Sequence, residues 1–241
     1  MSQMPNSTLP VDAGFSATDL SASDLTTFDS QADGYPEAYF DALYQGNGDP
    51  WQYQTRWYEK RKRDMCLAAL PQANYINGVE LGCGNGVFSE LLAGRCQSLL
   101  SIDGNQKAVQ LAKQRLVNHS NIKVVQGVIP QVLAETPINN NQSYDLIVIS
   151  EILYYLPLAD IDQVISWIEQ SLALSGTLLC CHWRYEIEGF VMTGESVHQH
   201  LQQAFNKNSA FTHQSQLVDS DFLLDVWQRS AQTIAMQEQL I

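Results

Sequence analysis

The stretch VELGCGNG, residues 79–86, places three glycines at alternate positions directly after an apolar run. Glycine loses more conformational freedom on folding than any other residue, so this cluster indicates a tight turn or a close backbone approach. The preceding run YINGVEL predicts a strand, and the following VFSELLAG predicts a helix. A glycine turn between a strand and a helix favours folds that are built from βαβ units.

The rest of the chain continues this alternation. The strand-like runs SLLSID, IKVVQG, YDLIVIS and GTLLCCHW are separated by the helix-like segments NQKAVQLAKQRLVNH, PQVLAE and LADIDQVISWIEQSLA. Continuous apolar runs predict strands that are covered on both faces, as in parallel sheets. A helix over GESVHQHLQQAF and two strands near residues 210–216 and 222–228 follow. We therefore expect an α/β fold with a mainly parallel seven-stranded sheet and helices on both faces.

Length and local composition predict the domain organisation. With 241 residues, the chain is long enough for one sizeable α/β domain, and a second full domain is not expected. Residues 1–33 are rich in Ser, Thr, Asp and Ala, which predicts a mobile acidic tail. We expect a helical cap or lid over residues 34–72, the main domain over residues 73–231 and a C-terminal tail over residues 232–241.

A basic run lies in the second helix that is predicted for the cap, TRWYEKRKRDMCLAAL, residues 55–70. It contains five of the 13 Lys and Arg residues of the chain. A charge run of this kind is usually a solvated helix face, and the alternative is a face that meets an anionic group. The sequence leaves both interpretations open.

Charge and cysteine content exclude several classes of function. The net charge of −13 argues against nucleic-acid binding, because an acidic protein repels polyanions. No apolar run approaches the roughly 20 residues of a membrane span, and the N-terminus lacks a signal-peptide pattern. The five cysteines include no C-x-x-C pair, which favours reduced thiols in a cytoplasmic protein over a zinc site or disulfides. His198 and His200 would lie on different helix faces, so no metal site is predicted.

Two classes of ligand fit the glycine turn: dinucleotides and S-adenosylmethionine (SAM). The dinucleotide fingerprint requires glycine where this chain has Val87. A carboxylate at Glu80 would repel a pyrophosphate, but it would attract the ammonium and sulfonium groups of SAM. The turn therefore favours SAM, with S-adenosylhomocysteine (SAH) as the product, over the cofactor of an NAD-dependent oxidoreductase.

Further cofactor contacts are expected where the next strands end. Asp103 ends the second strand, where it is predicted to accept hydrogen bonds from both ribose hydroxyls. Gln126, Gly127 and Val128 follow the third strand and are predicted to border the adenine. The fourth strand leads into SEILYYL, which places polar groups at the carboxyl end of the sheet, where ligands bind in open α/β folds.

At these residues, over roughly positions 76–183, the chain resembles class I SAM-dependent methyltransferases. The segments DPWQYQTRWYEKRKRDMCLAAL, SEILYYL and CCHWRYEIEGFVMTGESVHQHL narrow the resemblance to the NodS group, over about residues 49–201. The resemblance implies a Rossmann-like class I methyltransferase fold and N-methylation of the free amino sugar of a deacetylated chito-oligosaccharide. It implies that Trp57 and Tyr58 close over the methionine end of SAM and that Glu151 faces the methyl group. The residues expected to bind the cofactor are Trp57, Tyr58, Glu80, Gly82, Cys83, Gly84, Gly86, Asp103, Gly104, Gln126, Gly127, Val128, Ser150 and Glu151.

The chemistry of methyl transfer suggests catalytic candidates. An amine acceptor must lose its proton before it attacks, because an ammonium has no lone pair. Glu151 is the first candidate to position and deprotonate the amine, His182 is the second, and Tyr155 could stack on a sugar face with Tyr154. Methylases of planar nitrogens carry an N/D-P-P-Y/F segment where this chain reads SEIL, which favours an aliphatic amine or hydroxyl of a small molecule. An O-methyltransferase and a non-catalytic SAM-binding protein are the alternatives.

Overall fold

The computed structural model describes residues 36–135, 143–190, 192–230 and 232–241. The predicted acidic tail, residues 1–33, lies outside the described residues. The helices are α1 (Glu37–Tyr44), α2 (Trp57–Ala69), α3 (Val87–Ala93), α4 (Gln106–Arg115), α5 (Gln131–Glu135), α6 (Leu158–Ser171), α7 (Gly194–Phe205) and α8 (Ile234–Gln237), with a 3₁₀ turn at Leu153–Tyr155. The strands are β1 (Tyr75–Leu81), β2 (Cys96–Asp103), β3 (Ile122–Gln126), β4 (Tyr144–Ser150), β5 (Leu172–Trp183), β6 (Thr212–Val218) and β7 (Phe222–Gln228).

The strands form one seven-stranded sheet in the order β3-β2-β1-β4-β5-β7-β6. Neighbouring strands among β1 to β5 are parallel, whereas β7 runs antiparallel to both β5 and β6. The predicted fold class is therefore confirmed. Buried apolar clusters pack against both faces, which explains why the central strands read as continuous apolar runs.

The strand order determines where a ligand can bind. The strand β1 has β2 on one side and β4 on the other, so the connections leave β1 and β4 in opposite directions. In open α/β sheets such a reversal opens a crevice at the carboxyl ends of the strands. The glycine turn follows β1, and the segment SEILYYL begins at the end of β4, so both are placed at this crevice.

Within the described residues, no helix is both long enough and apolar enough to cross a bilayer. The C-terminal segment includes the short helix α8, and the amide of Gln237 in this helix donates a hydrogen bond to Gln228 of β7 at 3.2 Å. This end of the chain therefore contacts the antiparallel side of the sheet, away from the crevice.

Candidate active site

A cavity of about 980 Å³ lies at the carboxyl ends of the parallel strands. Its walls come from the glycine turn, the ends of β2, β4 and β5, and the helices α1 and α2 with the segment that joins them. This volume lies at the upper end of the range for small-molecule sites, so there is room for a cofactor together with part of an acceptor. A smaller cavity of about 40 Å³ adjoins it beneath the glycine turn.

The glycine turn adopts a backbone that other residues rarely adopt. Gly82, Gly84 and Gly86 have φ angles of +78°, +53° and +81°. Gly82 and Gly84 line the cavity, and a side chain at Gly82 would contact Ile152 at 2.9 Å. A side chain at Gly86 would instead meet the backbone of Ala112 in α4, so this glycine allows close helix packing. The turn thus combines two glycines at the cavity with one that serves the fold.

Asp103 links the end of β2 to the turn. Its Oδ2 accepts a hydrogen bond from Gly84 N at 2.8 Å, and its Oδ1 accepts one from Asn105 N at 2.8 Å. Burial raises the pKa of Asp103, and the hydrogen bonds from these two backbone groups oppose the shift. Asp103 and Gly104 both line the cavity, where the carboxylate retains capacity to accept further hydrogen bonds. Cys83 borders only the smaller cavity.

Glu80 lies beneath the turn and is 2% exposed. Its Oε2 accepts hydrogen bonds from the hydroxyls of Ser89 and Ser101, and Glu80 borders the smaller cavity. Burial raises the pKa of Glu80 to about 7, the hydrogen bonds from the two serine hydroxyls oppose this shift, and the charge of the nearby Asp103 adds to it. Its charge is therefore sensitive to pH in the neutral range.

This raised pKa predicts a pH-dependent stability. The ordinary pKa of a glutamate is 4.5, so the folded protein binds this proton more tightly than the unfolded chain does. The stabilisation that this proton gives the folded protein is fully present below pH 4.5. It is lost as the pH rises through 7, which lowers the free energy of unfolding by roughly 3 kcal/mol. Denaturation of the wild type and Glu80→Gln between pH 4.5 and 8.5 measures it. The variant should gain stability relative to the wild type as the pH rises, and parallel curves would contradict the prediction.

Among the described residues that line the cavity, the three expected at the adenine are missing. The amide of Gln126 donates to Gly104 O at 3.4 Å, and Gly127 N donates to Asp103 O at 2.9 Å. A side chain at Gly127 would collide with Val132, so this glycine permits close packing against α5. Ile129, the next residue, does line the cavity, and the contact of Gln126, Gly127 and Val128 with the adenine stays a prediction.

The adjacent residues Trp57 and Tyr58 have different positions. Trp57 is 69% exposed, lies outside the cavity lining and has the Lys60 ammonium 5.9 Å from its ring centroid. Tyr58 lines the cavity, and its buried hydroxyl has no hydrogen-bond partner among the described residues. Successive helical residues point about 100° apart, so one of them faces solvent when the other faces the cavity. Only Tyr58 of the two therefore lines the cavity, and closure of either residue over the cofactor stays a prediction.

Glu151 follows β4 with a φ angle of +60° and lines both cavities, next to Ser150. Its Oε1 accepts from Lys62 Nζ at 2.6 Å, and its Oε2 accepts from Tyr154 Oη at 2.6 Å and Trp183 N at 2.9 Å. Lys62 is 3% exposed and also donates to Glu59 at 3.2 Å. Burial alone would lower the pKa of Lys62, but the carboxylates of Glu151 and Glu59 raise it, so the ammonium stays charged.

Sequence reasoning missed Lys62, Glu59 and Arg63 as residues of the site. Arg63 is 8% exposed and donates from Nη2 to Tyr53 O at 2.6 Å. Its Nε and Nη1 form no hydrogen bond with the described residues, and Nη1 lies 3.6 Å from Glu59. The basic run therefore has one face that is buried at the cavity. The spacing of Glu59 with Lys62 and Arg63, at i+3 and i+4, was the available signal.

The two remaining catalytic candidates differ in their access to the cavity. His182 is fully buried and lies outside the described lining, and its Nε2 already accepts a hydrogen bond from Leu153 N at 3.3 Å. Burial lowers the pKa of His182 well below its usual range. His182 is therefore not placed to act as a general base, which corrects that prediction. Tyr155 does line the cavity, and its ring packs against Phe40 and Phe190 at centroid distances of 5.0 and 4.8 Å.

Comparisons with known proteins show which family the chain matches. The family model described as Nodulation protein S (NodS) matches residues 44–208. Nodulation protein S of Rhizobium tropici is 33% identical over 133 residues, covering 54% of this chain and 53% of that protein, about half of its length. Nodulation protein S of Sinorhizobium fredii is 29% identical over 192 residues, covering 76% of this chain and 84% of that protein.

Solved structures give the same result. A methyltransferase from Pseudomonas syringae is 37% identical with a TM-score of 0.59, covering 72% of this chain and 99% of that one. N-methyltransferase NodS from Bradyrhizobium japonicum WM9 in complex with SAH is 26% identical with a TM-score of 0.66, covering 78% of this chain and 97% of that one. The family match, residues 44–208, therefore includes most of the residues that line the cavity.

Proposed function

We propose that this protein N-methylates an aliphatic amine of a small acceptor of the amino-sugar class. The basis is that the chain belongs to the nodulation protein S family and is a SAM-dependent methyltransferase. The observation that carries the proposal is the chemistry of the cavity wall. Carboxylates outnumber cations six to two among the described residues of this wall, and nine of these residues are aromatic. Carboxylates and aromatic faces attract a cationic amine, and aromatic faces also pack on the apolar faces of sugar rings.

The described residues fit SAM as the methyl donor. We propose that Asp103 and Gly104 hold the ribose, and that the backbone of Gly82 and Gly84 approaches the cofactor closely. Arg63 is buried beside the turn with two groups that donate no hydrogen bond within the described chain, so we assign it to the methionine carboxylate. The unbonded hydroxyl of Tyr58 is a further donor at the wall. SAM supplies a methyl group made electrophilic by its sulfonium.

The cap is proposed to act as a lid over residues 34–72, with residues 73–231 as the catalytic domain. Two asparagines in the loops that follow β1 and β2 form hydrogen bonds with the cap. Asn105 Nδ2 donates to Asp41 Oδ1 at 2.7 Å, and Asn85 Nδ2 donates to Gly48 O at 3.0 Å and Asp49 Oδ1 at 3.1 Å. Because Asn85 belongs to the glycine turn, cofactor binding and lid closure would share this contact.

Glu151 is proposed to orient the acceptor amine. A carboxylate offers about four acceptor positions, and Lys62, Tyr154 and Trp183 N occupy three of them. The remaining position on Oε1 can accept one N–H of a neutral amine, which leaves the nitrogen lone pair free to attack the methyl group. Orientation of this kind can supply up to roughly 7–11 kcal/mol of the barrier, without a full proton transfer to Glu151.

An aromatic path leads from this position to the surface, which supports an extended acceptor. The ring of Trp183 lies 5.6 Å from that of Tyr58 and 5.0 Å from that of Tyr185, which is 52% exposed. The carboxylates of Glu186 and Asp221 flank the path at the cavity wall. Successive sugar rings could stack along this path while the amine of the terminal ring reaches Glu151.

A cytoplasmic location is also proposed. All five cysteines are buried and free, with no disulfide between them. Free thiols persist in reducing compartments, whereas oxidising compartments favour disulfides.

A labelled-methyl assay against a panel of acceptors tests the proposal. The panel pairs a glucosamine oligomer that has one free terminal amine with its fully N-acetylated form, and adds simple amines and phenols. We expect transfer to the free amine, none to the acetylated oligomer, and a fall of at least about 100-fold for Glu151→Gln with SAH binding retained, because the amine is no longer held in line with the methyl group. Transfer to phenols or hydroxyls instead would contradict the proposed amine chemistry. An active Glu151→Gln variant would contradict the proposed role of Glu151.

A further inference from the structure

A chain of buried polar side chains runs from the active-site turn to the antiparallel side of the sheet. Leu153 N donates to His182 Nε2 at 3.3 Å, and His182 Nδ1 lies 3.0 Å from His198 Nε2. His198 Nδ1 lies 2.5 Å from Asp225 Oδ2, and His213 Nε2 lies 2.5 Å from Asp225 Oδ1. The first two histidines and Asp225 are 0–1% exposed, and none of the four side chains belongs to the described wall of the cavity.

The hydrogen bonds in this chain can run in only one direction. A backbone N–H only donates, so Nε2 of His182 must be the unprotonated nitrogen. A neutral His182 then carries its proton on Nδ1 and donates it to His198 Nε2. His198 in turn carries its proton on Nδ1 and donates it to the carboxylate of Asp225. The backbone donor at one end and the carboxylate at the other therefore require the same tautomer of both histidines.

This series of hydrogen bonds begins at the backbone segment that carries the proposed catalytic groups. Leu153 opens the 3₁₀ turn and lies between Glu151 and Tyr155. Its N–H is at the start of a helical turn, where donors have no partner within the helix. In the described chain this segment is also tied to β5 by Glu151 N to Cys181 O and by Trp183 N to Glu151 Oε2, both at 2.9 Å. His182 supplies a further tie two residues along the segment, at Leu153.

We propose that Asp225 and His198 are positioning residues for methyl transfer, which act through His182 to hold the turn that presents Glu151 and Tyr155 to the acceptor. The inference rests on the proposed function, because it assigns these groups to the same reaction. Burial of a charged carboxylate and two imidazoles costs free energy that apolar side chains would not cost. A buried series of hydrogen-bonded side chains is useful where a backbone donor must be held in one orientation, because each side chain fixes the orientation of the next.

The variants His198→Gln and His198→Met test the inference as a matched pair of similar size. Gln offers an oxygen that can accept from His182 Nδ1, whereas Met offers none of comparable strength. For His198→Met we expect kcat to fall about 10- to 100-fold, as for a displacement of about 1 Å at the site. The KM for SAM should remain near that of the wild type, and His198→Gln should keep most of the activity.

The rates are expressed per SAH-binding site, measured by calorimetry, so that a loss of folded protein does not count as a loss of catalysis. Nitrogen-15 spectra of histidine side chains provide a second measurement, in which His182 and His198 of the wild type should both carry the proton on Nδ1. A proton on Nε2 of His182, or an unchanged kcat in His198→Met, overturns the inference. The acceptor is whichever one the wild type methylates, so a hydroxyl acceptor would refute the proposed amine chemistry and leave this comparison valid.

Discussion

Replacing Lys62 with Met is expected to destabilise the protein by about 3–5 kcal/mol and to abolish methyl transfer. The ammonium of Lys62 lies 2.6 Å from Glu151 and 3.2 Å from Glu59, and all three side chains are largely buried. Met retains most of the apolar stem of Lys, so the principal loss is the positive charge. Two carboxylates then share a buried site, and among the described residues the cation that still pairs with one of them is Arg63, 3.6 Å from Glu59.

The matched control is Lys60→Met, the same substitution two positions earlier in α2. Lys60 pairs with Asp64 at 2.5 Å, but the side chains are 60% and 47% exposed. Exposed pairs contribute less than about 1 kcal/mol, so this variant should unfold near the wild-type denaturant midpoint and remain active. Equal losses of stability in the two variants would show that Lys62 does not neutralise a buried cluster.

A pH series separates the loss of charge from the loss of packing. Burial raises the pKa of Glu59, although the charge of Lys62 opposes that shift, so removal of Lys62 favours the protonated acid further. As the pH falls, the Glu59 carboxyl becomes neutral and no longer needs a cation. The stability difference between the wild type and Lys62→Met should therefore shrink toward low pH, whereas a packing defect would persist across the range.

The Lys62 cluster also shows where sequence reasoning ends. The basic run of α2 was open to two interpretations, a solvated face or a face that meets anions. The structure contains both, because Lys60 is exposed while Lys62 and Arg63 are buried at the site. The deciding partner is Glu151, which follows another strand far along the chain. Periodicity within one helix indicates which residues share a face, but it does not indicate what that face meets.

Local patterns succeeded where the cause was local. The glycine turn, the strand runs and the helix over residues 194–205 were predictable, because each depends on the conformation or apolar spacing of neighbouring residues. The role of His182 was not predictable, because it depends on β5 lying beside β7 and on α7 packing over both strands. The position of His182 at a strand end predicts proton transfer, whereas in the structure Leu153 N donates to its Nε2 and occupies the one basic lone pair of the neutral ring. The exposure of Trp57, by contrast, follows from helical geometry once Tyr58 faces inward.

Replacing Asp103 with Ala is expected to weaken SAH binding by at least about 100-fold, because two hydrogen bonds to a charged group contribute about 1.5–3 kcal/mol each. The matched control is Asp145→Ala. The Asp145 carboxylate also accepts two backbone hydrogen bonds, from Ile76 N at 2.7 Å and Asn77 N at 2.8 Å. It lies at the other end of the sheet, so this variant should lose stability while SAH affinity stays near that of the wild type.

A ligand-side comparison separates two roles of Asp103, since its carboxylate also holds Gly84 N and Asn105 N. Calorimetry would measure the affinities of wild type and Asp103→Ala for SAH and for an SAH analogue that lacks both ribose hydroxyls. If Asp103 binds the ribose, the substitution weakens SAH binding strongly and leaves the analogue's affinity nearly unchanged. If Asp103 only holds the glycine turn, both ligands lose affinity by the same factor, because a displaced turn affects each alike. We expect the first result, since the carboxylate faces the cavity and has acceptor capacity beyond its two backbone bonds.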